Sequence, residues 1–221
     1  MKKPWRRLIL CGVALVVGAG PHGSIGAHAA EVSAPSNLRT LAYAGDWEAI
    51  KALGPGTVPE LVKLYGSGNE DQKASIAYVF YKLGWKSEPA RQALITDVHT
   101  PNSKLRLQVQ WALGRVSDDP GVVEVLLDNL QNDGNPLFRD KAACALAYDQ
   151  IHLKPAQKVK LYEGLIRALD DPKPDVRNAA ALALLIQTGQ HKNYLAGAPP
   201  EQRRQAVERW QAWLAEYKSQ L

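Results

Sequence analysis

Four basic residues, Lys73, Arg106, Arg139 and Arg177, hold the same place in four copies of one phrase. A row of cations at a fixed interval could track phosphates or carboxylates. It could equally serve the chain itself, by binding carboxylates of its own turns. Other candidates for chemistry are few. His99, His152 and His191 fall in three separate loops or helix ends, and none has the i, i+4 partner that a helical metal site needs. Cys144 has no His or Asp that the sequence places beside it, so it reads as a small apolar residue before it reads as a nucleophile. The pairs Asp118-Asp119 and Asp170-Asp171 precede helices, where carboxylates favour the positive dipole end. There is no Gly-x-Ser-x-Gly, phosphate-cradling Gly loop or EF-hand loop. The sequence therefore names no catalytic residue, no metal and no cofactor, and the chain is expected not to be an enzyme.

The four phrases must position whatever the chain does. They are Gln72-Lys73-Ala74-Ser75-Ile76-Ala77-Tyr78-Val79-Phe80, Leu105-Arg106-Leu107-Gln108-Val109-Gln110-Trp111-Ala112-Leu113, Phe138-Arg139-Asp140-Lys141-Ala142-Ala143-Cys144-Ala145-Leu146 and Val176-Arg177-Asn178-Ala179-Ala180-Ala181-Leu182-Ala183-Leu184. The steps between their cations are 33, 33 and 38 residues. A period of this size marks stacked supersecondary units, each burying its apolar face on its neighbours. The 3.6-residue apolar pattern predicts helix pairs at 58–65 with 70–83, 88–98 with 103–116, 120–130 with 136–148, and 155–169 with 174–188. Gly66-Ser67-Gly68, Thr100-Pro101-Asn102, Asn132-Asp133-Gly134-Asn135 and Asp170-Asp171-Pro172-Lys173 supply the turns. One or two short helices broken at Gly45-Asp46 precede the pairs, and an amphipathic helix over 200–220 follows them. No segment alternates in the manner of a strand.

The first thirty residues have the layout of a secretory signal peptide: basic Lys2, Lys3, Arg6 and Arg7, an apolar run over 8–17, and Ala27-His28-Ala29 as a small-x-small cleavage site. The run is too short to span a bilayer, so no stable membrane insertion is expected after cleavage. Removing the four leader cations from 27 basic residues leaves 23 against 22 acidic ones, a net charge of +1. That balance does not favour nucleic acid, which needs a concentrated positive face. The organisation expected is a leader at 1–30, a lead and capping helices at 31–56, repeats at 57–189, and a loop with a capping helix at 190–221.

The fourth phrase, with the Asp171-Pro172-Lys173-Pro174-Asp175 that precedes it, resembles the HEAT repeat in its short bacterial form, shared with phycobilisome lyases. The third phrase is similar through Asp133, Phe138, Arg139, Ala142, Ala145 and Leu146, the second through Leu105, Arg106, Ala112, Leu113 and Gly114, and the first only in pattern. The resemblance implies an all-α, right-handed α-solenoid of about four helix pairs, closed by caps at both ends. It also implies that an Asp six residues before the Arg builds a hydrogen-bond ladder between repeats. Asp133/Arg139 and Asp171/Arg177 keep that spacing, while Ser67 and Thr100 stand at the Asp position of the first two units. Arg139 and Arg177 are thus expected to be structural, and Lys73 and Arg106 remain open between ladder and anion track.

At 100° per residue, Ile76, Val79, Phe80 and Leu83 share one side of the first phrase, as do Leu105, Val109, Ala112, Leu113 and Val116 of the second. Phe138, Ala142, Ala145 and Leu146, then Val176, Ala180, Ala183, Leu184 and Gln187, continue this core stripe. The other side, concave in the repeats resembled, carries Tyr78, Tyr81, Leu107, Trp111, Gly114, Cys144, Ala147, Leu182 and Leu185, with Arg106 at its border. An apolar strip there is either a groove for a protein or peptide or is covered by the chain's own terminal helices.

The expected function is an exported scaffold that binds a protein or peptide. The alternatives are a bilin lyase or chaperone, which the resemblance raises and the leader opposes, and a HEAT-like DNA repair protein, which both leader and charge oppose. The leader gives a direct expectation: N-terminal sequencing of the protein from its native envelope starts at Ala30 or Glu31, and recovery of Met1 contradicts it.

Overall fold

The computed structural model describes residues 37–148 and 152–221. The expected leader and most of the lead segment lie outside these residues. Within them the chain forms α-helices and one short 3-10 turn at Pro55–Thr57, with no strand. The helices are α1 (Leu38–Ala44), α2 (Trp47–Leu53), α3 (Val58–Ser67), α4 (Glu70–Leu83), α5 (Glu88–Ile95), α6 (Ser103–Val116), α7 (Pro120–Asn132), α8 (Pro136–Tyr148), α9 (Pro155–Ala168), α10 (Pro174–Thr188) and α11 (Pro200–Ser219).

Local chemistry sets these boundaries. Asn69 caps α4 by accepting from Gln72 N at 3.0 Å, and the Gln72 side chain accepts from Asn69 N at 2.9 Å, a reciprocal capping box. Asn102 caps α6 by a single bond, accepting from Leu105 N at 3.0 Å. Gly45 and Gly84 end α1 and α4 at φ of 72° and 61°, a left-handed conformation that favours glycine. The α9–α10 connection, longer than the α7–α8 one, absorbs part of the longer last step.

The second helices pack in order, α4 on α6, α6 on α8 and α8 on α10. Each also packs on the first helix of its own pair, and the first helices pack α3 on α5 and α7 on α9. This arrangement is compatible with an α-solenoid. Ile76, Val79, Val109, Leu113, Ala142, Leu146, Val176, Ala180 and Leu184 are all buried in the shared core. Small residues set the helix separation. At Gly164 of α9, an added Cβ would stand 2.2 Å from a Leu127 methyl of α7.

Both ends are closed by helices. α1 packs on α4, in line with the row of second helices. α11 packs on α9, in line with the first helices. Tyr162 of α9 sits edge-on to Trp213 and Tyr217 at 5.2 and 5.3 Å between centroids, and Trp210 sits 5.3 Å from Trp213. Burial, then the neighbouring Tyr217, pushes the Tyr162 phenol up to about 12.

Leu184 is fully buried, whereas Leu182 on the same helix is 43% exposed. Leu184→Ala is expected to cost about 2–5 kcal/mol in urea unfolding and Leu182→Ala under about 1 kcal/mol. Equal losses would reverse the assignment of the two faces.

Candidate interaction strip and the cation ladder

The four cations occupy a structural ladder. Arg139 lies in the first turn of α8, and its Nη1 donates back to O of Asp133, the residue that ends α7, at 2.7 Å. Its Nε and Nη2 reach forward to Asp171 of the next unit, at 2.7 and 3.0 Å. That fork is two-pronged, and both side chains are about nine-tenths buried, at 10% and 9% exposure. The hydrogen bond to Asp171 raises the Arg139 pKa. Burial of Asp171 pulls its carboxyl pKa up, but the bonds from Arg139 and Lys173 N and the charges of Arg139 and Arg177 outweigh it, and the net shift is down. Arg177 repeats the geometry. Its Nη1 donates to Asp171 O at 2.7 Å, and its Nε and Nη2 reach forward to Ala196 O at 3.0 and 2.8 Å.

The two cations left open by the sequence belong to the same ladder. Arg106, expected at the border of a binding strip, is ion-paired with Asp133 of the next unit. Its guanidinium lies 4.7 Å from the centroid of the Phe138 ring. Lys73 Nζ donates to Asp97 at 2.9 Å, and the buried Tyr65 hydroxyl donates to the same oxygen at 2.8 Å. Burial, and then that bond, raises the Tyr65 pKa. The acceptor rule is therefore simple: each cation binds the carboxylate or carbonyl of the following unit. Absence of Asp six residues before Lys73 and Arg106 does not remove them from the ladder, because their acceptors lie downstream. Asp97 escaped the sequence reading because Thr100 holds the aligned position. The acidic residue one turn earlier was the available signal.

The expected helix-start carboxylates divide. Asp119 caps α7, accepting from Gly121 N at 2.6 Å. Asp118 instead pairs with Lys86 at 2.7 Å and stands 3.4 Å from His152. Asp171 belongs to the ladder. Among the described residues no group of His, Cys, Asp and Glu is placed to hold a metal ion.

The opposite side of the second-helix row carries the expected apolar strip in modified form. Tyr78, Tyr81, Leu107, Trp111 and Cys144 are half-buried, and Leu182 and Leu185 are exposed at 43% and 39%. Gly114 and Ala147, expected on this strip, are buried between helices instead. Tyr81 of α4 and Trp111 of α6 meet across the interface with centroids 5.4 Å apart and ring planes tilted by 34°. Cations edge the rings: Arg115 lies 5.7 Å from the Tyr81 centroid, and Lys82 lies 4.7 Å from that of Trp47. Each stands four residues after a strip aromatic, Lys82 after Tyr78 and Arg115 after Trp111, a helical spacing the sequence already displayed.

Of the two terminal caps, one reaches the strip. The turn at Gly45, between α1 and α2, lies against Tyr78. α11 packs on α9, in the other row. No protein-family model matches the chain, and no curated protein matches it.

The lowered Asp171 pKa has a stability consequence. The unfolded carboxyl takes up its proton first as pH falls, so the ladder contribution is complete above the ordinary value near 3.8 and fades as pH drops through the lowered one. Asp171→Asn is expected to cost about 1.5–3 kcal/mol at pH 7 and to flatten the loss of stability as pH falls below about 4. Parallel pH profiles of the two proteins in urea unfolding would contradict this.

Proposed function

We propose that the chain is an exported, non-enzymatic scaffold, a right-handed α-solenoid of HEAT-like helix pairs that docks a protein or peptide on its concave side. One observation carries the reading. The second-helix row keeps Tyr78, Tyr81, Leu107, Trp111 and Leu182 at least partly accessible, while its recurrent cations are consumed in the ladder. Recognition then rests on aromatic and aliphatic area instead of an anion track, and aromatic side chains carry binding energy well. The repeated phrases and the leader support the same reading, because repeat stacks act through extended surfaces and the leader directs the chain to the cell envelope.

A photo-crosslinking residue at Leu107 tests it in the native cell. One discrete adduct is expected, and Trp111→Ala should weaken capture at least about thirtyfold, the equivalent of about 2 kcal/mol. Loss of the Tyr81–Trp111 ring contact should itself cost only about 0.5–1.5 kcal/mol of stability. If Trp111→Ala aggregates or melts far below the parent, and the adduct is absent even in the parent, the strip is internal packing.

A further inference from the structure

A second surface lies on the opposite row, between α9 and α11. α11 runs antiparallel to α9: Tyr217 near its end donates to Pro155 O at 2.9 Å, while Arg203 and Arg204 near its start share a cavity with Arg167 and Asp170. The cavity measures about 730 Å³, within the range of roughly 300–1,000 Å³ typical of ligand pockets. Ile166, Val207 and Leu214 give it an apolar floor.

Its charges are unevenly matched. Glu163 is held by Lys218 at 2.5 Å, and Arg204 by Glu201. Arg167 donates to the Gln131 side chain through Nη1 alone. Arg203 is anchored by Nη1 to Ala198 O at 2.7 Å, and its Nε is buried without a hydrogen-bond acceptor. Arg203 and Arg167 therefore line the cavity without a carboxylate partner, beside one unmatched carboxylate, Asp170. A buried donor without an acceptor is costly, and a guanidinium offers a carboxylate two parallel bonds.

We propose that this cavity takes the free C-terminus of a polypeptide with apolar final side chains. The terminal carboxylate pairs with Arg203 and Arg167, and the last side chains lie on Ile166, Val207 and Leu214. Glu163, Asp170 and Gln211 along the walls suit peptide amides, whereas an alkyl chain would leave these polar groups facing hydrocarbon. The surface is separate from the aromatic strip and does not depend on it.

The test uses the full chain and a panel of fluorescein-labelled hexapeptides whose last two residues are drawn from Leu, Val and Phe, read by fluorescence anisotropy. Members of the panel should bind saturably, and their C-terminal amides should bind at least about tenfold more weakly. Arg203→Gln should remove most of that preference. Arg167→Gln, on an exposed side chain, repeats the test without touching the Ala198 contact. Trp111→Ala should leave peptide binding unchanged, which separates this surface from the strip. Equal binding of acids and amides overturns the proposal, as does a preference that survives both Arg variants. If sodium laurate binds and no peptide does, the occupant is an acyl carboxylate and the proposal falls. If neither binds, the cavity is a packing defect at the cap.

Discussion

Each second helix carries one cation whose acceptor belongs to the following unit, and the stacking register depends on that donation. Lys73 to Asp97, Arg106 to Asp133, Arg139 to Asp171 and Arg177 to Ala196 O form a single series. Apolar packing along the same helices supplies most of the stability, since charges this buried recover little beyond their own desolvation. The ladder adds direction. An apolar interface of Ala, Val and Leu tolerates sliding, whereas a guanidinium fork has one acceptor position. A slipped interface would strand a buried charge, which is far more costly than a misplaced methyl.

The last rung explains how the series ends. Ahead of Arg177 the acceptor is a backbone carbonyl instead of a carboxylate. The segment between α10 and α11 turns back, and Ala196 presents its carbonyl to Nε and Nη2 together. Tyr194 anchors the same segment by donating to Leu169 O. The chain is then delivered to Pro200, where α11 starts and crosses to the first-helix row. The cap therefore covers α9 and leaves Leu182 and Leu185 of α10 accessible at one end of the strip. The end of the ladder and the exposure of Leu182 and Leu185 share one cause.

The helices were legible in the sequence because their signals are local. Asn69, Asn102, Gly84 and the prolines at 120, 136, 155, 174 and 200 mark helix ends through groups within a few residues. The core stripe was legible for the same reason, with Val109, Leu113 and Leu184 at helical spacing and fully buried. Long-range pairing was not. The partner of Arg106 is 27 residues downstream and that of Lys73 is 24, and no local rule links them. Gly114 and Ala147 went astray because a helical wheel assigns a side but not the distance to the neighbouring helix. Small residues at those steps let the helices close over them. The cavity beside Arg203 depends on where α11 docks, which lies beyond any pattern within that helix.

Arg106 joins adjacent units through Asp133, and the division between structural cations and recognition surface turns on that pair. A double-mutant cycle with Arg106→Met and Asp133→Asn, followed by urea unfolding at pH 7, addresses it directly. A coupling of at least about 1.5 kcal/mol is predicted, as for a buried charged pair in direct contact. Additive losses, with a coupling within about 0.3 kcal/mol of zero, would mean that Arg106 does not hold the units together and is available to a partner.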